Sequence, residues 1–187
     1  MRRIGAAHPE SSVEVWCQDE ARLGLIPILR RVWAPVGERP VAIVRQKYDW
    51  VYVYGFLHPG SGRVIWFLLP RMDTVVMEIA LKRFAEEAGA ATDRQLVILL
   101  DGAPCHTAPR LVVPEYTHLV FQPSYSPELQ PAERLWPLVR EAVANRAFET
   151  IEELEAVLVN RCRQLDKQSV MIQAATLYHW WPEDITA

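Results

Sequence analysis

The chain has 187 residues, half of them apolar and 23% charged, which suits one globular domain with a substantial core and excludes a disordered or fibrous polymer. Twenty Lys and Arg against 23 Asp and Glu leave a net charge of −3, so bulk electrostatics cannot carry nucleic-acid binding; such a role needs metal ions, a local basic face or another domain. Cys17, Cys105 and Cys162 are odd in number and contain no C-x-x-C pair, which argues against a disulfide framework or a thiolate zinc site and predicts reduced thiols, at least two of them buried. The opening MRRIGAAHPE has no apolar run behind its arginines, and nowhere do 18 uncharged apolar residues stand together, so neither a secretion signal nor a membrane span is expected and the expected compartment is the cytoplasm.

From Val13 the stretch VEVWCQDEA alternates in polarity, which is strand periodicity and puts Asp19 and Glu20 on opposite sides. Pro35, Gly37 and Pro40 punctuate RRVWAPVGERPVAIV, read as a strand, a turn and a return. DWVYVYGFL and GRVIWFLLP are β-branched and aromatic and flank HPGSG, a hairpin loop, so three consecutive antiparallel strands are expected. Asp73 caps a helix carrying Val76, Ile79, Ala80 and Phe84 on one face and closing at Gly89. RQLVILLD is continuously apolar, as in a central strand covered on both faces. A short helix is expected in TAPRLVV, limited by Pro109 and Pro114, followed by a fifth strand in THLVFQPS. SPELQPAERLWPLVREAVANRAF reads as one helix with Leu135, Leu138, Val139, Ala142 and Val143 inward and a kink at Pro137. Thr150 and Glu153 form a capping box for a last helix with Leu154, Val157, Leu158, Cys162 and Leu165 on one face, and Trp180 and Trp181 in the tail are expected to cover the chain's own core, against which stands a partner subunit. The order βββ, α, β, α, β, α, α predicts an α/β fold: a mixed five-stranded sheet, three antiparallel strands extended by parallel ones, with helices on both faces.

Asp19 at the end of the first strand, Asp101 at the end of the fourth and Glu133 in the first turn of a helix are the candidate chemical residues. Ligands of open α/β sheets bind beyond the carboxyl ends of the strands, so the two aspartates converge there if their strands are parallel neighbours. Three close carboxylates repel unless protons or hard cations neutralise them. Magnesium suits oxygen ligands, and two ions roughly 3.5–4 Å apart can clamp an in-line phosphodiester displacement, which points to phosphoryl transfer on a nucleic acid.

QDEA at 18–21, LLDGAPCHTA at 99–108 and SPELQPAERLW at 126–136 resemble the three signature blocks of DDE transposases, of the mariner-type superfamily and its bacterial insertion-sequence branch. The resemblance covers about residues 13–165. It implies an RNase H-like fold, and an Asp19, Asp101, Glu133 triad that binds Mg²⁺ or Mn²⁺, as two ions, hydrolyses DNA at element ends and joins the freed 3′-hydroxyl to target DNA. It also implies DNA as partner, a homodimer in the active assembly, and a nucleoid-associated bacterial location. His106 looks like the family's histidine of the second block, placed to touch a phosphate or a metal-bound water, against which stands a hydrogen-bonded structural role. Arg30, Arg31, Trp33 and Arg39 resemble its basic and aromatic stretch after the first strand, against which stands an ordinary exposed hairpin. Three departures stand out: Gly102 and Gln130 where the family usually has Asn, 31 residues between Asp101 and Glu133, and no N-terminal helix-turn-helix region, so a separate or fused DNA-binding domain is expected. The alternatives are an RNase H-like nuclease on hybrids or branched DNA, and a non-catalytic, domesticated or truncated remnant.

Overall fold

The computed structural model describes residues 2–41, 47–124 and 126–184. A short helix, α1 (Arg2–Ala7), precedes β1 (Ser12–Gly24), which pairs antiparallel with β2 (Trp50–His58), itself antiparallel to β3 (Arg63–Leu69). Next come α2 (Thr74–Ala88), β4 (Arg94–Leu100), the single turn α3 (Pro104–Thr107) and β5 (Thr117–Phe121). Two 3₁₀ turns, Pro127–Leu129 and Pro131–Arg134, lead into α4 (Leu135–Arg140), and α5 (Ile151–Asp166) and α6 (Ser169–Thr176) complete the chain. The sheet runs β3-β2-β1-β4-β5, with β4 parallel to both β1 and β5. This is the mixed five-stranded arrangement expected.

Alternation along β1 sorts its side chains into two cores. Val15, Cys17 and Ala21 join Leu135, Trp136, Val139, Leu154, Leu158 and Leu165 under α4 and α5. Trp16 joins Tyr54, Phe56, Leu96 and Ile98 against Met77, Ala80, Leu81 and Phe84 of α2. Asp73 accepts a hydrogen bond from the Val76 amide at 2.9 Å and Gly89 closes α2 in the left-handed conformation, as expected. The inward face of α2 includes Met77 and Leu81, however, while Ile79 is exposed. All three cysteines are free and buried, and Trp181 sits in the core while Trp180 is exposed.

Other expectations need correction. β1 continues to Gly24, so Asp19 stands inside the strand and not at its end. Residues 30–41 form no strand; within them the Glu38 amide closes a turn on the Pro35 carbonyl, and the return through 42–46 lies outside the described residues. The short helix falls at Pro104–Thr107, ahead of TAPRLVV, because proline is best tolerated in the first helical turn, where its missing N–H costs nothing. The single helix expected over 126–148 is instead two 3₁₀ turns and the six residues of α4, since Pro127, Pro131 and Pro137 each remove a donor. Glu133 is thus on a 3₁₀ turn and not in a helix's first turn. α1 and α6 were not expected at all.

Candidate active site

The β1–β4 register aligns Cys17 with Leu99, and carrying that parallel step two residues onward sets Asp19 beside Asp101. Both carboxylates line a cleft of about 390 Å³ together with Glu133, Gln122, Ser124, Ser126 and Gln130. Glu20, next along β1, turns to the opposite face, toward His106, as strand alternation demands.

Each acid is held differently. Asp19 Oδ2 accepts a 2.6 Å hydrogen bond from the indole N–H of buried Trp136. The indole can lie there because Gly55, paired with Asp19 across β2, has no side chain: a Cβ would meet Leu135 at 3.2 Å and Trp136 at 3.4 Å. Burial raises the Asp19 carboxyl from 3.8 to about 7, with the charges of Glu133 and Glu20 adding to the effect and the Trp136 bond opposing it. Asp101 Oδ1 accepts from the Ala103 amide at 3.0 Å and from His106 Nδ1 at 2.7 Å. Glu133 is exposed on its turn, and that turn is tied to β1 by Gln130, whose Nε2 donates to the Gln18 carbonyl at 3.0 Å.

His106 does not line the cleft. It is 2% exposed, lodged behind Asp101, with Nε2 3.7 Å from Glu20 Oε2. Burial disfavours charge on the ring, but the Cys105 thiol and the nearby Glu20 and Asp101 outweigh it and push the imidazole to about 9. Of the basic and aromatic stretch, Arg30 is already paired with Glu141 and its amide donates to Asn145 Oδ1 at 2.7 Å. Trp33, Arg31 and Arg39 are exposed. Nothing in the structure calls for Gly102, around which a Cβ would meet no atom within 4 Å.

An all-oxygen lining fits a hard divalent cation. Asp19, Asp101 and Glu133 supply carboxylates, while the amide oxygens of Gln122 and Gln130 are buried without a hydrogen-bond partner. The upward shift of the Asp19 carboxyl, caused by burial and by the charges of Glu133 and Glu20, marks the same demand for positive charge.

The family model for DDE superfamily endonucleases matches residues 14–155. The chain belongs to that family. A second relative is the uncharacterized protein y4pE/y4sA of Sinorhizobium fredii, 31% identical over 134 residues, which cover 70% of this chain and 96% of that protein. Among solved structures, the Mos1 mariner paired end complex with Mn matches with a TM-score of 0.58 at 16% identity over 88% of this chain and 56% of that one. The Mos1 transposase paired-end complex with left transposon end matches with a TM-score of 0.55 at 16% identity over 94% and 57%. At these identities the likeness establishes the fold, and the chain spans little more than half the length of the Mos1 chains. Among the described residues no helix is long and apolar enough to cross a membrane.

Sequence reasoning singled out the three acids but not what holds them. Trp136 and Gln130 stand inside the third block, yet their partners Asp19 and Gln18 lie 117 and 112 residues away, and no local spacing encodes such a bond.

Proposed function

We propose that the chain is the catalytic domain of a transposase, which hydrolyses DNA phosphodiesters and transfers the resulting 3′-hydroxyl ends. The observation that carries this reading is the lining of one cleft by Asp19, Asp101 and Glu133, contributed by β1, by the residue that follows β4 and by the 3₁₀ turn Pro131–Arg134. These three would hold Mg²⁺ or Mn²⁺, as two ions. When bound, the cations supply charge neutralisation at the phosphate and an activated oxygen nucleophile. The protein's own part is preorganisation. Trp136 fixes Asp19, the Ala103 amide and His106 fix one oxygen of Asp101, and Gln130 fixes the turn bearing Glu133, so the carboxylates need not reorganise when a phosphate arrives. Hydrolysis breaks the P–O3′ bond and leaves a 3′-hydroxyl and a 5′-phosphate; transfer attacks a second phosphodiester with that hydroxyl and expels its 3′-oxygen.

Exposed Arg31, Trp33 and Arg39 would meet DNA phosphates or bases, with Arg30 anchoring their stretch to Glu141. The same proposal includes a homodimer on DNA and a DNA-recognition domain acting with this one. The full chain, incubated with Mn²⁺ and supercoiled plasmid, should nick it, and should join an oligonucleotide bearing a free 3′-hydroxyl. Asp101→Asn and Glu133→Gln should each lower both activities by about 10³-fold or more while retaining the wild-type circular dichroism. Activity surviving both substitutions would defeat the proposal, and cleavage of RNA–DNA hybrids without any joining would replace it with a nuclease.

A further inference from the structure

Behind Asp101, on the side of the sheet facing α2, three side chains converge that do not line the cleft. One atom each of Glu20, Cys105 and His106 lies within 4.8 Å of the other two. Cys105 and His106 are buried, and the Glu20 side chain is 9% exposed. His106 points its second nitrogen into this space, and that Nε2 is buried with no hydrogen-bond partner. We propose that Glu20, Cys105 and His106 form a buried site for a divalent transition ion of the zinc class, separate from the all-oxygen cleft.

Four observations converge. The His106 Nδ1 bond to Asp101 Oδ1 leaves the lone pair of the neutral ring on Nε2, and a carboxylate on the far nitrogen is the usual support of a metal-bound histidine. The Nε2 to Glu20 Oε2 distance of 3.7 Å is too long for a hydrogen bond. It matches the separation of roughly 3.3–3.7 Å that two ligands adopt around a tetrahedral ion with bonds of about 2.0–2.3 Å. Glu20 is otherwise satisfied only by Gln18 Nε2 at 2.8 Å, so its buried charge has no other close cation among the described residues. A thiolate, a carboxylate and a neutral imidazole around a doubly charged ion sum to zero, which is what a buried site requires. The sulfur and nitrogen ligands select against magnesium.

Binding would release the thiol proton and any proton on Nε2 to solvent. The ion would tether α3 to β1 and, through His106, stiffen Asp101 from behind. None of this depends on whether the cleft cuts DNA.

The full chain is stripped with chelator, loaded with Co²⁺ and dialysed against excess Mg²⁺. About one equivalent should remain, with visible d–d bands of tetrahedral intensity and a thiolate-to-cobalt band in the near ultraviolet. Cys105→Ser should abolish the thiolate band and Glu20→Gln should weaken retention at least tenfold, whereas Asp19→Asn and Glu133→Gln should leave both unchanged. X-ray absorption of the zinc-loaded wild type should show one sulfur among nitrogen and oxygen neighbours, which decides the matter even if Cys105→Ser fails to fold. No retained ion, a shell of oxygen and nitrogen alone, or retention indifferent to Cys105→Ser would overturn the proposal and leave His106 as an imidazolium between Asp101 and Glu20.

Discussion

Asp19 stands in the middle of β1 with an indole on one oxygen and the charges of Glu133 and Glu20 close enough to resist its ionisation. Its folded value of about 7 lies above the ordinary 3.8, so without metal its contribution to stability is full below about pH 4 and is lost as the pH rises through 7. The cost at pH 8 is at most about 4 kcal/mol, the free energy of moving the carboxyl from 3.8 to about 7. Asp19→Asn removes the charge and keeps an oxygen for Trp136. The metal-free variant should therefore melt higher than the wild type at pH 8, and the gap should close by pH 4; a variant that melts lower at pH 8 would contradict this. Trp136→Phe does the converse: it deletes a hydrogen bond to an ionised group, worth about 1.5–3 kcal/mol. Calorimetric titration with Mn²⁺ at pH 7 should find binding weaker by about tenfold or more, and unchanged affinity would show that the indole does not support the carboxylate. The split between Asp19 and Glu20 was legible in the alternation of VEVWCQDEA. The company each residue keeps was not: Trp136 beside Asp19, and Cys105 and His106 beside Glu20, are brought there by pairing between distant segments.

The elements that announced themselves did so through strong local chemistry: the HPGSG hairpin, Asp73 and Gly89 bracketing α2, and the capping Thr150, which accepts from the Glu153 amide at 3.3 Å. Expectation failed where proline density met a helical apolar pattern. Leu135, Val139 and Val143 do face the core, but Pro127, Pro131 and Pro137 leave too few amide donors for a continuous helix over 126–148. That failure bears on the site, because a 3₁₀ turn pinned by Gln130 presents Glu133 more rigidly than a frayed helix start would. The hairpin loop shows a second kind of constraint. Gly62 has φ +69°, and a Cβ there would lie 2.0 Å from the Ser169 carbonyl oxygen at the start of α6. Gly62→Ala must either unwind the turn or push α6 away, at a cost of about 2–4 kcal/mol in chemical denaturation. Gly102→Ala, with open space around it, should stay within about 0.5 kcal/mol of the wild type. Equal effects at the two glycines would mean that the hairpin and α6 are not in the contact described.

Across the molecule, the tail closes the sheet at the end away from α3. Trp181 enters the core under α5, and Asp184 binds both strands at once: Oδ1 accepts from the Val15 amide at 3.0 Å and Oδ2 lies 2.8 Å from His58 Nε2. The Ser61 amide donates to His58 Nδ1 at 3.2 Å, so the ring proton sits on Nε2 and donates to Asp184. This strap therefore needs an ionised Asp184. Burial works against that ionisation, yet the His58 bond and the Val15 amide hold Asp184 below its ordinary 3.8. A carboxyl lowered by folding contributes stability that is complete above about pH 4 and lost as the pH falls through its depressed value, the reverse of Asp19. Asp184→Asn should lower the melting temperature by a few degrees at pH 6, and the wild type should fall toward the variant between about pH 4 and 2. Calorimetric scans of both proteins across that range measure it. No melting gap at pH 6 would show that the tail is held by Trp181 alone, with Asp184 a bystander to a contact the core already secures, and a gap that persists undiminished at pH 2 would show that the contribution does not come from the ionised carboxylate.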